Sequence, residues 1–432
     1  MTSEPETMAA TDTGGPHAHP CTGMAGMSGP EHTEGEPVHF WDLEDLPAQD
    51  FDPFLDARLK ETRIARIRMP FGTDSGWLVT RYEDVKTATS DPRFSRQALV
   101  DRPEVTSSSP HPIAAKHAAL NYTDPPRLTQ MRSVIARAFT GKSMQRLRPM
   151  AQRTANALLD EMELKGPPAD LMEHLHGPFP LTVVADLLGL PEEERGALTD
   201  WANVIMAPGQ LPERSKAGLA TVRELIASLL VRRRTDPTDD LAGVLAAAVV
   251  AGEISEPESV SLATAVLVSG AHAVRNNSAN MVYALLTHPE QLSRLRAEPE
   301  LLPQAVDELL RYIPHRSGVG IPRIALEDVA IGGVVIREGE AVFASYIAAN
   351  RDPEMFPHPD TIDFDRGPIA HVSFGNGPHH CVGSMLARME SEIIVATLLD
   401  RFPKLRLAVP AEELTWQKGA LIRGPETLPV VW

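Results

Sequence analysis

The residues best placed to do chemistry stand together in Phe374-Gly375-Asn376-Gly377-Pro378-His379-His380-Cys381-Val382-Gly383. Two glycines and a proline before the cysteine make a tight loop, and Ser384 to Leu399 reads as a helix following it. A thiolate near a helix N-terminus, ringed by backbone N–H groups, has a lowered pKa and becomes a strong metal ligand. A single cysteine without companion ligands suits haem iron, because the porphyrin supplies the equatorial nitrogens and the protein one axial donor. An isolated cysteine is more often a buried structural residue. The F-G-x-G-x-H-x-C-x-G setting reverses that expectation.

Other candidates carry less information alone. Glu308-Leu309-Leu310-Arg311 sets an acid and a base at i, i+3 on one helix face, where they can pair. His17, His19 and Cys21 form an H-x-H-x-C cluster, but two histidines and one cysteine do not close a structural metal site. A flexible tail with chance spacing explains them better.

Elements that could position the cysteine loop follow from periodicity. Amphipathic helices fit 140–164, 180–189, 213–234, 239–251, 289–298 and 301–312; residues 77–81, 329–336 and 341–347 read as short strands. Ser255-Glu256-Pro257-Glu258 is a capping-box start and Pro289 a stop, enclosing a mostly apolar helix of roughly 30 residues, about 45 Å long. The expected class is mainly α with a small β portion, in a single large domain.

The chain has 432 residues with a formal net charge of -17. Residues 1–57 hold twelve acids and no Lys or Arg, so the remainder is nearly balanced. Residues 1–36 lack a hydrophobic period and read as a disordered acidic leader, with 37–432 as the folded domain. Two cysteines, Cys21 and Cys381, exclude a disulfide framework. The acidic balance argues against nucleic-acid binding, and no apolar run suggests a membrane span or secretory signal. The expected location is cytoplasmic.

The cysteine loop resembles the haem-binding signature of the cytochrome P450 family, soluble bacterial type, and the resemblance covers nearly everything after residue 40. Glu308-Leu309-Leu310-Arg311 matches its E-x-x-R, about seventy residues before the cysteine. Asn350-Arg351-Asp352-Pro353 and Asp363–Arg366 are similar to its meander, making Arg366 a third member of the Glu308–Arg311 network. Asp124-Pro125-Pro126-Arg127-Leu128-Thr129-Gln130-Met131-Arg132 resembles its D-P-P-x-H-x-x-x-R, with Leu128 in place of the histidine. The resemblance implies haem b, with Cys381 as proximal ligand, Phe374, Gly375 and Gly383 shaping the loop, and Arg132, His379 and Arg323 at the propionates.

A departure bears on mechanism. Family monooxygenases carry [AG]-G-x-[DE]-T across the distal haem face, where acid and alcohol relay protons. This chain reads Ser269-Gly270-Ala271-His272-Ala273, so His272 replaces the acid and Ala273 the threonine, while Gly270 is kept. Three readings stay open: His272 relays protons; water or a polar group on the substrate does; or the protein binds haem without turnover. Loss of the threonine raises the weight of oxidative C–C or C–N coupling over hydroxylation or epoxidation. The segment Gly270–Asn280 is similar to bacterial members that couple indole-containing cyclodipeptides.

The family's substrate walls map to Trp201, Ile205, Met206, Val266, Ala271, Ser317, Val319 and Leu421, suiting a medium-sized, partly aromatic secondary metabolite. Electrons would come from NAD(P)H through a ferredoxin reductase and a ferredoxin. Residues 127–153 hold seven basic residues and no acid. Arg137, Lys142 and Arg146 there form the expected docking face for that acidic donor.

Overall fold

The computed structural model describes residues 37–432 apart from 62–63, 101, 108–119, 197, 199–211, 317–318 and 421. The expected leader at 1–36 and the expected substrate contacts Trp201, Ile205, Met206, Ser317 and Leu421 lie outside the described residues. In chain order the helices are α1 Pro53–Glu61, α2 Tyr82–Ser90, α3 Arg127–Ala136, α4 Gly141–Lys165, α5 Pro178–Leu188 and α6 Pro212–Thr235. There follow α7 Leu241–Val250, α8 Glu256–Thr287, α9 Pro289–Ala297, α10 Leu302–Tyr312, α11 Tyr346–Ala349 and α12 Ser384–Arg401.

The sheets are minor. The largest runs β1 (Val38–Phe40), β2 (Ile64–Arg68), β3 (Gly76–Val79), β9 (Ala341–Ala344), β6 (Arg323–Ala325) and β4 (Phe94–Ser95). A hairpin pairs β7 (Val329–Ile331) with β8 (Val334–Ile336), and a second sheet orders β10 (Arg406–Leu407), β11 (Pro429–Val431) and β5 (Ala169–Asp170). The fold is mainly helical with a small β portion, as the sequence implied.

Sequence chemistry sets the central helix. The Ser255 N–H donates to Glu258 Oε2 at 2.7 Å and the Glu258 N–H to Ser255 Oγ at 3.4 Å, the reciprocal bonds of a capping box. From there α8 runs 32 residues to Thr287, with Pro289 opening α9. Its buried apolar side chains meet α5, α6, α7 and α12 in one continuous core.

Two expected strands are divided. Gly332 and Gly333 take φ of +56° and +91°, which turns residues 329–336 into the β7–β8 hairpin. Strand β9 stops at Ala344 because Ser345 caps α11, accepting from the Ala348 N–H at 3.3 Å. Short β-pairing is hard to read from spacing when each strand has only two to five residues.

Helix α10 carries the strongest buried polar link. Its apolar stripe, Ala305, Val306, Leu309 and Leu310, is buried in a cluster with residues of α8 and α12. Glu308 and Arg311 are buried beside that stripe and pair through two bonds of 2.8 Å. Arg311 also donates to the carbonyls of Asn350, Pro359 and Thr361, and Glu308 accepts from the Asp363 N–H and Arg366 Nε. A desolvated pair is tolerable only when its remaining donors and acceptors are used in this way. The network staples α10 to the irregular chain before the cysteine loop. Replacing Arg311 with Gln should cost about 3 kcal/mol, because buried Glu308 loses its two-bond partner and keeps only the longer Arg366 contact as counter-charge. Denaturant unfolding would show it; an effect no larger than that of a surface arginine would contradict the stapling role.

Candidate active site

Backbone geometry builds the cysteine loop. Gly375 and Gly377 have φ of +76° and +73°, in the left-handed region open to glycine. At Gly377 an added Cβ would sit 2.4 Å from the Thr89 carbonyl of α2, so the loop lies flush against that helix. Asn376 Nδ2 ties it there, donating to the Lys86 carbonyl at 3.2 Å and Thr89 Oγ1 at 3.1 Å. The Cys381 N–H donates to the Phe374 carbonyl at 2.8 Å, and α12 begins three residues after the cysteine.

Cys381 is exposed, yet dense surrounding protein pushes its thiol pKa up. Both are true of a sulfur on the wall of a deep concavity. Opposing the desolvation are the Gly383 N–H and the charges of Arg132, Arg316 and Arg388, which favour thiolate. Phe374 lies on the same side, with the Arg388 guanidinium 4.7 Å from its ring centroid. Asp307 fixes Arg388 at 2.6 Å.

A ring of cations borders this concavity. Arg323, opening β6, is 3% exposed, and its Nη2 has no hydrogen-bond partner. Burial and the charges of Arg96, Arg323 and Arg132 press the His379 imidazole down to about 2, so it is neutral and free to donate. Arg132 Nη2 donates to the His380 carbonyl at 2.5 Å. Leu128 is fully buried. The sequence reading missed Arg96 and Arg316. Arg96 is 8% exposed with an unpartnered Nε, and Arg316 is crowded enough that burial lowers its pKa. Nothing local in their sequence marks them, because β-pairing brings them in.

These features fit haem b: an accessible sulfur in a concavity, a glycine loop pressed flat, and the orphaned buried guanidinium nitrogen of Arg323 to meet a propionate.

The middle of α8 is more exposed than the turns that flank it. Ser269 is exposed and Gly270, His272 and Ala273 are partly exposed, although this helix is otherwise heavily buried. Gly270, expected among the catalytic positions, has a packing reason: an added Cβ would lie 3.3 Å from Val184 of α5. Burial and Arg275 lower the pKa of His272, which makes no side-chain hydrogen bond among the described residues. Of the expected substrate contacts, Val266 and Ala271 are buried in the main helical core and Val319 in the sheet-side core. Ser269, four residues before Ala273 and on the same helix face, carries a hydroxyl that donates to the Ala265 carbonyl; the sequence reading quoted it without a role.

The basic run is not a bare cationic face. Arg127 pairs with Glu258, Arg137 with Glu253 at 2.5 Å, Arg146 with Asp239 at 3.4 Å and Arg148 with Glu392 at 2.6 Å. Lys142 makes no ion pair among the described residues. Acids distant in sequence supply what the run itself lacks.

Fold and loop together define a haem-thiolate protein. The sequence model of the family Cytochrome P450 matches residues 208–408. Biflaviolin synthase CYP158A1 of Streptomyces coelicolor is 42% identical over 415 residues, covering 95% of this chain and 99% of that protein. The mycinamicin IV hydroxylase/epoxidase of Micromonospora griseorubida is 40% identical over 87% of this chain and 94% of its own. Among solved structures, cytochrome P450mel 107F1 "with biaryl coupling reactivity" superposes with a TM-score of 0.85 at 41% identity, covering 92% of this chain and all of that one. The chain belongs to the cytochrome P450 family. It is an oxidoreductase of the monooxygenase type, with haem b as cofactor and NAD(P)H electrons delivered through redox partners. No helix among the described residues is long and apolar enough to cross a membrane.

The loop geometry makes a sharp prediction. Gly377→Ala forces a side chain into both a left-handed φ and the Thr89 carbonyl, at a cost on the order of 1–3 kcal/mol or more. Haem retention on gel filtration should fall. Full retention with unchanged melting would contradict the role given to this glycine.

Proposed function

We propose that the chain oxidises an aromatic secondary metabolite at a haem held by Cys381, and that it favours oxidative coupling over hydroxylation. The observation that carries the reading is the partly exposed middle of α8, where His272 and Ala273 stand in place of the relay acid and alcohol. Support also comes from relatives at 41–42% identity, one named biflaviolin synthase and one described with biaryl coupling reactivity. The mycinamicin relative, a hydroxylase/epoxidase, keeps ordinary monooxygenation as the second reading. None of the relatives named above is described as acting on a cyclodipeptide, and the indole-cyclodipeptide part of the expectation is without support.

Haem b would supply dioxygen-dependent oxidation when bound. Cys381 would hold its iron through the thiolate, steadied by the Gly383 N–H. Arg132, Arg323 and His379 would hold the propionates. Ser269, His272 and Ala273 form the roof, where the absence of a carboxylate and a threonine leaves proton delivery to water or to the substrate's own acidic hydrogens. His272, kept neutral by burial, would donate only below its ordinary titration range. A donor ferredoxin docks on the proximal side near Arg137, Lys142 and Arg146, and the enzyme works in the cytoplasm.

Coupling and hydroxylation separate on the fate of labelled dioxygen. With a phenolic or naphtholic substrate, the coupled product should contain no label and a dimer mass two hydrogens short of twice the monomer. Label in the main product would overturn coupling. Substituting Arg137, Lys142 and Arg146 together with Gln should slow electron transfer and flatten its salt dependence. Unchanged rates at every ionic strength would remove them from the docking face.

A further inference from the structure

More positive charge borders the cavity than haem b can answer. Strand β4 pairs antiparallel with β6 through Phe94 with Ala325 and Ser95 with Ile324, and the same register sets Arg96 opposite Arg323. Like charges facing each other across a sheet repel, and burial strengthens the repulsion. Arg96 is 8% and Arg323 3% exposed, and Arg96 Nε and Arg323 Nη2 are without partners. Asp124 does not neutralise them. Its carboxylate accepts from Ser95 Oγ and from the N–H groups of Arg96 at 3.1 Å and Gln97 at 3.4 Å, which fixes the Arg96 turn.

Arg316 joins the group from the chain before β6. Its Nη1 and the Tyr346 ring both lie within 4 Å of the space over Gly320. Its charge is felt at Arg96 and at Cys381. Arg132 approaches the same edge from α3. Among the described residues no carboxylate forms an ion pair with Arg96, Arg132, Arg316 or Arg323.

The propionates of haem b supply two negative charges at this edge, while thiolate and ferric porphyrin together are neutral. Arg132 and Arg323, with His379 as a neutral donor, match the propionates. Arg96 and Arg316 are left over, and two buried charges without a counter-charge are costly to keep. We infer that Arg96 and Arg316 form an anion-binding subsite beside the haem, which takes an acidic group of the organic substrate, a carboxylate or an ionised phenol. Arginine stays charged throughout the working range, and its planar fork bonds such oxygens with charge assistance. Anchored there, an aromatic acid would reach over the haem toward Ser269 and Ala273, the accessible stretch of α8.

This rests on the haem-thiolate reading and narrows its substrate class. The test is a titration of purified holoenzyme with 2-naphthoate and with the uncharged 2-naphthamide, followed by the haem spin-state change and by calorimetry. The naphthoate should bind roughly tenfold tighter than the amide. Arg96→Gln with Arg316→Gln should bring the two within about threefold, while Arg316→Lys should keep the acid ahead. Equal affinities in the wild type, no binding of the acid, or an undiminished preference in the double variant would overturn the subsite. Loss of haem from each single Gln variant would assign both arginines to the propionates, which also overturns it. A carbon monoxide difference spectrum on the same wild-type preparation keeps the two readings apart. A normal thiolate spectrum with no acid preference sinks only the subsite.

Discussion

The structure turns on holding one sulfur in a place where its charge is unwelcome. Burial alone would keep Cys381 protonated, and burial is what any enclosed oxidation site requires. The chain answers with fixed dipoles and remote cations: the Gly383 N–H, the helix that begins at Ser384, and Arg132, Arg316 and Arg388 at the margins. Every other feature of the proximal side serves the same end. Glycines let the loop lie flat on α2, and Asn376 pins it there. The Glu308–Arg311–Arg366 network fixes α10 against the chain that feeds the loop, and Ser373 Oγ extends the tie by donating to the Leu310 carbonyl at 2.7 Å.

Charge is distributed in the opposite sense to the total. The chain as a whole is strongly acidic, and twelve acids without a single base fall in its first 57 residues. Around the cavity the balance reverses, with Arg96, Arg132, Arg316 and Arg323 converging and no acid paired to them among the described residues. The outer basic run behaves differently again, since Glu258, Glu253, Asp239 and Glu392 meet four of its seven residues. Net charge therefore says little about the charge of either surface.

What the sequence disclosed was local. The cysteine loop, the capping box of α8 and the E-x-x-R of α10 each lie within a few consecutive residues, where backbone preference and i, i+3 spacing act directly. Features made by distant segments stayed hidden. Arg96 and Arg323 meet only through the β4–β6 register, more than two hundred residues apart in the chain. Acids that answer the basic run come from other segments for the same reason. The place of Gly270 in the motif was visible in the sequence, and its close approach to Val184 was not. Val266 and Ala271 show the same ambiguity: apolar residues on a buried helix can face a ligand or a neighbour, and composition does not distinguish these.

The central claim is that Cys381 holds the haem as thiolate. Its most direct measurement is the carbon monoxide difference spectrum of the reduced protein, recorded for the wild type beside Cys381→Ser. The wild type should show the long-wavelength Soret band of a thiolate-ligated haem, and the serine variant should lose that band whether or not haem remains bound. The same band in both proteins would contradict the account, because another group would then be holding the iron.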